Sequence, residues 1–286
     1  MKGGLKVAVV VVTYNRKELL RACLQALLNQ TRPLDEIIVI DNASTDGTDH
    51  MIRSEFPQVT HVKLPENIGG AGGFHEGMKL AYEKGHDWIW LMDDDAVPMS
   101  DALEALMEAI GNVHAERFVL LPRQVQSGNL GSGRDGGMLE LTNNFTFVGP
   151  LIPRRAITEI GFPRSDFFIY CDDLDYHIRL VKAGFNTYYV PSSHIVHEDW
   201  GLKSRLDEPG VPDWKRYYEV RNRIICFRTE WGRWKLFRYV LYIAKRAFIA
   251  AISERRLRKT WYLLRGLIDG LLNRTGKRIH PDSASQ

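Results

Sequence analysis

The alternation of strand-like and helix-like segments in the first 110 residues restricts the fold of this chain more than any other feature. Val7–Val12 is a nearly pure valine run, typical of a strand buried on both faces of a parallel sheet. Apolar residues then recur at helical spacing across Leu19–Leu28, in a helix that we expect to open at Asn15. Further strand-like segments follow at Glu36–Ile40, Thr60–Leu64 and Trp88–Met92. After the last of them, Ser100 is expected to cap an amphipathic helix that runs through Ile110. This β-α-β-α-β order predicts an α/β fold with a mixed, mostly parallel sheet flanked by helices.

Each predicted strand is followed by a polar or glycine-rich cluster. The four clusters are Thr13–Arg16, Asp41–Asp46, Asn67–Gly73 and Asp93–Asp95. Ligands of open α/β sheets bind outside the carboxyl ends of the strands, which is where we expect all four clusters. A later glycine-rich segment, residues 127–137, predicts a loop over or beside this site.

Asp93, Asp94 and Asp95 form the cluster with the most specific chemistry. Adjacent carboxylates repel one another by about 1 kcal/mol per close pair even in high dielectric. A divalent cation would remove that repulsion, and carboxylate oxygens suit Mg²⁺ or Mn²⁺. A solvated acidic turn is the alternative, but the position at a predicted strand end favours a metal site.

His197 and the acidic segment Asp172–Asp175 are the other candidates for chemistry. A neutral imidazole such as that of His197 can complete a Mn²⁺ shell, although a single histidine is more often structural. Asp172, Asp173 and Asp175 lie among aromatic residues just before a predicted helix. One of them is expected to cap that helix, and another, half-buried, would suit a general base.

The glycine-rich segment Asn67–Gly73 predicts a compact backbone ahead of a helix that we expect to begin at Phe74. Backbone amides at such a place can approach a pyrophosphate, which makes Gly70 a candidate pyrophosphate-binding residue. The segment is not a dinucleotide fingerprint, because residue 75 is His75 where glycine would be required. It is not a P-loop either, because no Gly-Lys-Ser/Thr follows.

In combination, these motifs resemble glycosyltransferase family 2. The segments that carry the resemblance are Val10–Arg16, Ile40–Gly47 and Asp93–Asp95. Three others are more narrowly similar to the galactofuranosyltransferase branch of that family, namely Asn67–Phe74, Asp172–Tyr176 and His197–Trp200. Neighbouring rhamnosyltransferases share much of this pattern. The resemblance covers about residues 5–230 and implies a GT-A fold.

The resemblance also implies roles for individual residues. Thr13, Arg16 and Asp41 would hold the nucleotide base and ribose. The remaining residues expected to bind the nucleotide sugar are Asn67, Gly70, Asp93 and Asp94. Asp93 and Asp95 would bind Mn²⁺ or Mg²⁺, with His197 completing the shell. Asp173 would deprotonate the acceptor hydroxyl, so that a single displacement inverts the configuration of the sugar.

The implied reaction is transfer of galactofuranose from UDP-galactofuranose to a glycan acceptor carried on a polyprenyl diphosphate, in cell-surface polysaccharide synthesis. Rhamnose transfer from dTDP-rhamnose is the alternative, and pyranose donors stay open. The polymerising members of this branch carry extra domains, for which 286 residues leave little room. We therefore expect addition of one or a few sugars.

The C-terminal region differs in charge from the rest of the chain. Residues 233–278 contain thirteen Lys and Arg against two acidic residues, whereas the remainder holds 25 basic and 33 acidic residues. The pattern predicts a catalytic domain over 1–230 and a basic amphipathic helical region over 231–286. The apolar runs within residues 231–286 are much shorter than the roughly 18 residues of a membrane-spanning helix. Docking on the inner face of the cell membrane is one interpretation; packing on the catalytic domain or another subunit is the other.

Three scattered cysteines indicate no disulfide framework and favour a cytoplasmic protein. A nucleotidylyltransferase is disfavoured, because that class places a basic glycine-rich loop where this chain has Thr13–Arg16. A non-catalytic module that binds sugar nucleotides or membranes stays open. Nucleic-acid binding is disfavoured, because the acidic body of the chain would be repelled by phosphates.

Overall fold

The computed structural model describes residues 4–127, 137–197 and 211–279. Residues 128–136 of the predicted loop and residues 198–200 of the His197–Trp200 motif lie outside this part. The chain divides into two compact units. The first consists of Met1–Asn67, Gly73–Phe162 and Arg179–Trp200, and the second of Ile68–Gly72, Pro163–Ile178 and Gly201–Gln286.

The described residues form nine β-strands and nine α-helices. The strands are β1 (Val7–Thr13), β2 (Glu36–Asp41), β3 (Thr60–Lys63), β4 (Trp88–Asp93), β5 (Val97–Pro98), β6 (Phe118–Val125), β7 (Glu140–Leu141), β8 (Leu151–Pro153) and β9 (Asn186–Val196). The helices are α1 (Lys17–Leu28), α2 (Thr48–Glu55), α3 (Gly69–Glu83), α4 (Ala102–Ile110), α5 (Arg154–Ile160), α6 (Asp172–Lys182), α7 (Asp213–Cys226), α8 (Arg233–Ile252) and α9 (Leu257–Leu271).

All nine strands belong to one mixed sheet in the order β3-β2-β1-β4-β8-β6-β9-β5, with β7 paired to β9. Parallel pairing joins β3, β2, β1 and β4, which are the strands predicted from the first half of the sequence. β6 is also parallel to β9, whereas β8, β5 and β7 pair antiparallel with their neighbours. The predicted α/β class with C-terminal helices is confirmed.

β1 is buried on both faces, as its valine run predicts. Val7, Val9 and Val11 belong to the main apolar core, together with Leu20 and Leu24 of α1. Val10 and Val12 face α3, which approaches through Gly73 and Gly77. A Cβ built on Gly73 would lie 2.5 Å from Val12 Cγ1, and one on Gly77 would overlap Val10 Cγ1. The two glycines therefore set how closely this helix packs on the sheet.

The helices of the second unit pack through two further glycines. A Cβ on Gly266 would lie 2.7 Å from the carbonyl oxygen of Tyr217, and one on Gly270 would lie 2.8 Å from that of Arg221. Between these glycines, Asp269 is fully buried and accepts a hydrogen bond from the Tyr217 hydroxyl at 2.8 Å. α7 and α9 can pack this closely because neither glycine has a side chain. The predicted domain boundary at residue 230 stays a prediction.

Three helix starts differ from the prediction. α3 begins at Gly69 instead of Phe74, so the glycine-rich segment forms its first turn. Asn15 does not open a helix but takes a left-handed conformation with φ of 52°, and α1 begins at Lys17. The predicted cap at Ser100 is wrong. α4 begins at Ala102, and Gln30 Oε1 accepts the Leu103 backbone N–H at 3.0 Å, so a side chain distant in sequence caps the helix.

Candidate active site

The register of the parallel strands aligns three of the four polar clusters at one edge of the first unit. Thr13 is paired with Asp41 across β1 and β2, and Val12 is paired with Asp93 across β1 and β4. Asp94 and Asp95 follow directly. The carboxyl ends of these strands therefore present Thr13, Asp41 and the aspartate triplet together, as the sequence predicts.

Two residues that were expected to hold the nucleotide contact the aspartate triplet. The Thr13 hydroxyl donates to Asp94 Oδ2 at 2.7 Å, and this bond is buried. Arg16 Nη1 donates to Asp94 Oδ1 at 3.2 Å and to Asp95 Oδ2 at 2.7 Å. The guanidinium of Arg16 therefore lies beside the acidic cluster, and part of the side chain is exposed.

The pKa values of the three acids are shifted in different directions, although burial opposes the ionisation of each. Burial, reinforced by the negative charges of Asp95 and Asp94, raises the pKa of Asp93 to about 7. Burial likewise raises the pKa of Asp94 to about 6, against the charge of Arg16 and the hydrogen bond from Thr13. Burial opposes ionisation of Asp95 as well, but His197 and Arg16 together hold its pKa below the usual value. The cluster thus concentrates more negative charge than Arg16 alone neutralises.

His197 reaches the triplet from the end of β9. Its Nε2 lies 3.4 Å from Asp95 Oδ1, and its backbone N–H donates to the Val125 carbonyl at 2.9 Å. Among the residues that the structure describes, no group of three or more His, Cys, Asp or Glu side chains is already spaced as a metal shell. Carboxylates with an imidazole beside them are nevertheless the donor set that Mn²⁺ accepts, so the residue types fit the expected ion.

Asp41 is fully buried at the end of β2. Its Oδ1 accepts the backbone N–H of Ser44 at 2.8 Å, while Oδ2 has no hydrogen-bond partner among the described residues. His61 Nε2 lies 3.6 Å from that oxygen. Burial opposes ionisation of Asp41, but His61 and Ser44 lower its pKa overall. Asp41 is therefore a buried, ionised carboxylate at the end of β2, with His61 beside one of its oxygens.

His61 is a site residue that the sequence did not single out. It lies in β3, and its Nδ1 is 3.4 Å from Asp49 Oδ1. A histidine in a short strand carries no motif, so only the pairing of β2 with β3 brings it next to Asp41.

The loops after β1 and β2 are bonded to each other. The Asn15 backbone N–H donates to Ser44 Oγ at 2.9 Å, and the Thr45 backbone N–H donates to Asn15 Oδ1 at 2.8 Å. Asp46 Oδ2 accepts the Lys17 N–H at 2.9 Å. These bonds stabilise the left-handed conformation of Asn15 and fix the Thr13–Arg16 segment against the Asp41–Asp46 segment.

Asn67 and Gly70 lie on either side of the division between the two units. Asn67 ends the first segment of the first unit and is half-buried. Gly70 belongs to the second unit, in the first turn of α3, and a Cβ built on it would meet nothing within 4 Å. No other atom therefore covers Gly70 on its Cβ side, whereas its neighbour Gly69 packs closely on Phe168.

Asp173 lies in the second unit, in the first turn of α6. It is half-buried, whereas Asp172 and Asp175 on either side are buried. Asp173 Oδ1 accepts the backbone N–H of Leu174 at 2.7 Å. A half-buried carboxylate in this position faces the positive end of the helix dipole and remains partly accessible. The role of Asp173 as a base stays a prediction.

Comparison with known proteins places the chain in a family. The model of glycosyl transferase family 2 matches residues 8–178. Galactofuranosyltransferase GlfT1 of Mycolicibacterium smegmatis is 29% identical over an alignment of 199 positions, which covers 62% of this chain and 66% of that protein. GlfT1 of Mycobacterium tuberculosis is 28% identical over an alignment of 250 positions, which covers 75% of this chain and 79% of that protein.

A third relative and one solved structure extend the comparison. The N-acetylglucosaminyl-diphospho-decaprenol L-rhamnosyltransferase of Mycobacterium tuberculosis is 24% identical over 229 residues, covering 66% of this chain and 75% of that protein. The mannosyltransferase PcManGT from Pyrobaculum calidifontis, solved with GDP-Man and Mn²⁺, has a TM-score of 0.58 at 18% identity and covers 96% of this chain and 89% of that chain. This likeness confirms the GT-A fold. The chain therefore belongs to glycosyl transferase family 2.

Proposed function

We propose that this glycosyltransferase moves galactofuranose from UDP-galactofuranose, with inversion, to a hydroxyl of a polyprenyl-diphosphate-linked glycan in cell-surface polysaccharide synthesis. The observation that carries the proposal is the cluster of Asp93, Asp94, Asp95 and His197 beside Arg16. The relatives named as galactofuranosyltransferases support the donor, and the relative that acts on a decaprenol-linked sugar supports a lipid-linked acceptor. Rhamnose transfer from dTDP-rhamnose is the second candidate, because that same relative is a rhamnosyltransferase.

Asp93, Asp95 and His197 would hold Mn²⁺ or Mg²⁺ in this proposal. A bound ion would neutralise charge on the donor diphosphate. The high pKa of Asp93 supports this assignment, because a buried carboxylate that resists ionisation gains most from a nearby cation. Two GT-A neighbours, PcManGT and GalNAc-T7, were solved with Mn²⁺.

The donor nucleotide would be held along the ends of β1 and β2. Asp41, at the end of β2, would help to hold the base or ribose, as the family resemblance implies. Thr13 and Arg16 already orient Asp94, and Arg16 would also attract the negative diphosphate. Asn67 and the open backbone at Gly70 complete the donor-binding set that we propose.

Asp173 would take the proton of the acceptor hydroxyl as that oxygen attacks the anomeric carbon. The carbon–oxygen bond to the nucleoside diphosphate breaks in the same step, and the proton passes to the Asp173 carboxylate. One displacement of this kind inverts the anomeric configuration. The half-buried position of Asp173 supports the proposal, because partial burial leaves a carboxylate accessible to a hydroxyl.

α8 and α9 would dock on the inner face of the cell membrane. Each helix has one stripe of exposed apolar side chains: Trp234, Phe237, Leu241, Phe248 and Ile252 on α8, and Leu257, Trp261, Leu264, Ile268 and Leu272 on and just after α9. No helix within the described residues is long and apolar enough to cross a membrane. An exposed apolar stripe that is flanked by Lys and Arg residues is typical of a helix that lies in the interface of an anionic membrane.

The charges of this region favour lipid over another protein surface. The two acidic residues between 233 and 278 are both occupied internally, since Glu254 binds Lys259 at 2.9 Å and Asp269 is buried against Tyr217 and Arg265. The thirteen basic residues in 233–278 outnumber these two acids, so the region keeps a net positive charge, which complements an anionic bilayer.

Release of nucleoside diphosphate by the purified full chain tests the proposal. UDP-galactofuranose, dTDP-rhamnose and pyranose donors are compared with a polyprenyl-linked acceptor, with and without Mn²⁺. We expect UDP-galactofuranose and acceptor together to give product, and Asp173→Asn to lower the rate to a small residual, by about 10²- to 10⁴-fold. Turnover with dTDP-rhamnose alone would support the second candidate. No turnover with any donor would overturn the proposal in favour of a non-catalytic binding module.

A further inference from the structure

The loop that leads into α6 adopts an unusual backbone conformation in the second unit. Phe168, Tyr170 and Cys171 have φ values of 67°, 65° and 62°, and none of them is glycine. Residues with a Cβ rarely adopt this left-handed region, so three such residues within four positions need external support. The segment 167–171, here called the preceding loop, ends one residue before α6 and two before Asp173.

Asn222 on α7 supplies much of that support. Its Nδ2 lies 3.0 Å from the carbonyl oxygen of Phe167, 2.9 Å from that of Ile169 and 2.8 Å from that of Tyr170. Asn222 is fully buried, so these carbonyls face the amide instead of water. One side chain thus contacts three carbonyl groups of the preceding loop. In a regular helix or strand, these carbonyl groups would not converge on a single donor.

Arg221 holds Asn222 and the same loop. Its Nε donates to Asn222 Oδ1 at 2.8 Å, which fixes the orientation of that amide, and its Nη2 donates to the Phe167 carbonyl at 2.8 Å. The third donor, Nη1, reaches the Gly276 carbonyl at 2.6 Å. Arg221 is fully buried, and burial lowers its pKa. A guanidinium with no exposed surface that binds backbone oxygens serves to orient them.

The preceding loop also contacts the glycine-rich turn of α3 within the second unit. The Ala71 backbone N–H donates to the Phe168 carbonyl at 3.0 Å. Gly69 has a φ of 80° and packs so closely on that carbonyl that any side chain would overlap it. The loop therefore links the turn that carries Gly70 to the helix that carries Asp173.

We propose that Asn222, oriented by Arg221, is a positioning residue for transfer: it fixes the preceding loop and through it the carboxylate of Asp173. The inference rests on the proposed function, because it assumes that Asp173 is the base. It adds two residues from α7, about 50 positions along the chain, that touch neither metal nor donor in that proposal. Displacement of a catalytic carboxylate by about 1 Å lowers the rate of the reaction on the order of 100-fold. The preceding loop would prevent such a displacement of Asp173.

The test measures transfer by the full-length Asn222→Ala variant, with Ile224→Val as the matched control. Ile224 is also fully buried on α7, but it packs in an apolar cluster with Ile243 and Leu263 and not on the preceding loop. We expect Asn222→Ala to lower kcat about 100-fold while the KM for the donor changes little. Ile224→Val should change both values by less than about threefold.

A double variant separates positioning from a structural role. In an Asp173→Asn background, Asn222→Ala should lower the residual rate by less than about threefold, because both changes act on the same group. Where Asn222→Ala does not fold, Asn222→Ser retains one donor and should fall between wild type and Asp173→Asn. Fully additive effects, or an Asn222→Ala or Asn222→Ser variant as active as Ile224→Val, overturn the inference. Normal activity of Asp173→Asn would instead overturn the proposed base.

Discussion

The guanidinium of Arg16 is bound to the carboxylate of Asp95, with Nη1 2.7 Å from Oδ2. This ion pair sits at the end of a strand that also delivers Asp93 and Asp94, so one positive charge faces three acids. A cation of higher charge would stabilise the cluster further. Arg16 and an added cation therefore neutralise the same carboxylates.

Arg16→Ala should lower the melting temperature of the metal-free protein and increase the stabilisation by Mn²⁺. Removing the guanidinium leaves the acids to repel one another, at a cost below about 1 kcal/mol because Arg16 is partly exposed. Thermal unfolding with and without Mn²⁺ measures both effects. Arg21→Ala is the control, since Arg21 binds the exposed Glu55 away from the triplet. Equal Mn²⁺ shifts in wild type and Arg16→Ala would contradict the prediction.

Asp95→Asn and His197→Ala should each weaken Mn²⁺ binding and lower transfer. Loss of an ionic or imidazole ligand removes stabilisation of several kcal/mol from the departing diphosphate, hence roughly 100-fold or more in kcat. Calorimetric titration with Mn²⁺ and steady-state rates are the measurements. His114→Ala is a suitable control, because His114 lies in the turn after α4, outside the proposed ligand set. Full activity of the wild type in EDTA would be inconsistent with this role.

Gly77→Ala should destabilise the first unit by about 1–3 kcal/mol, because the new methyl group overlaps the buried Val10 side chain. The midpoint of urea denaturation reports the change. Gly111→Ala provides the matched control, since its nearest neighbour would lie 3.6 Å away and its backbone is already right-handed. An unchanged midpoint for Gly77→Ala would show that α3 shifts without cost.

Trp261→Ser combined with Ile268→Ser should weaken binding to vesicles of anionic phospholipid by at least about tenfold. Both side chains belong to the exposed stripe of α9, and burying each in the interface contributes about 1.5–3 kcal/mol at most. Co-sedimentation measures the partition coefficient. Leu19→Ser on α1, where Leu19 is similarly exposed, is the control. Equal binding of the double variant and the control would exclude α9 as the docking helix.

The three cysteines should resist thiol reagents in the folded protein. Cys23, Cys171 and Cys226 are free and buried. Burial raises the pKa of the Cys171 thiol to about 12 and raises those of Cys23 and Cys226 as well, so few thiolates exist at pH 8. A disulfide-exchange reagent should label none rapidly in buffer and three per chain in guanidinium. Rapid labelling of the native protein would contradict the buried positions.

The local order of strands and clusters was readable from the sequence because burial and strand ends leave patterns in nearby residues. The valine run of β1 and the aspartates after β4 are such patterns, and parallel pairing then brings Thr13, Asp41 and Asp93 to one edge. For the glycine-rich segment, the sequence predicts only a backbone that can approach a pyrophosphate. Glycine has a low helix propensity, so the start of α3 at Gly69 depends on the close packing of Gly69 on Phe168 and of Gly73 on Val12, which no local pattern predicts.

The sequence by itself determined the class of fold, the acidic and glycine-rich clusters and the basic C-terminal helices, since each depends on residues close together in the chain. Only the tertiary structure decided that Gln30 caps α4, that His61 lies beside Asp41 and that Asn222 holds the loop before Asp173. In each case a lone polar side chain binds backbone or carboxylate atoms far away in sequence. Such a residue has no local signature, because its partner is chosen by the packing of whole helices and strands.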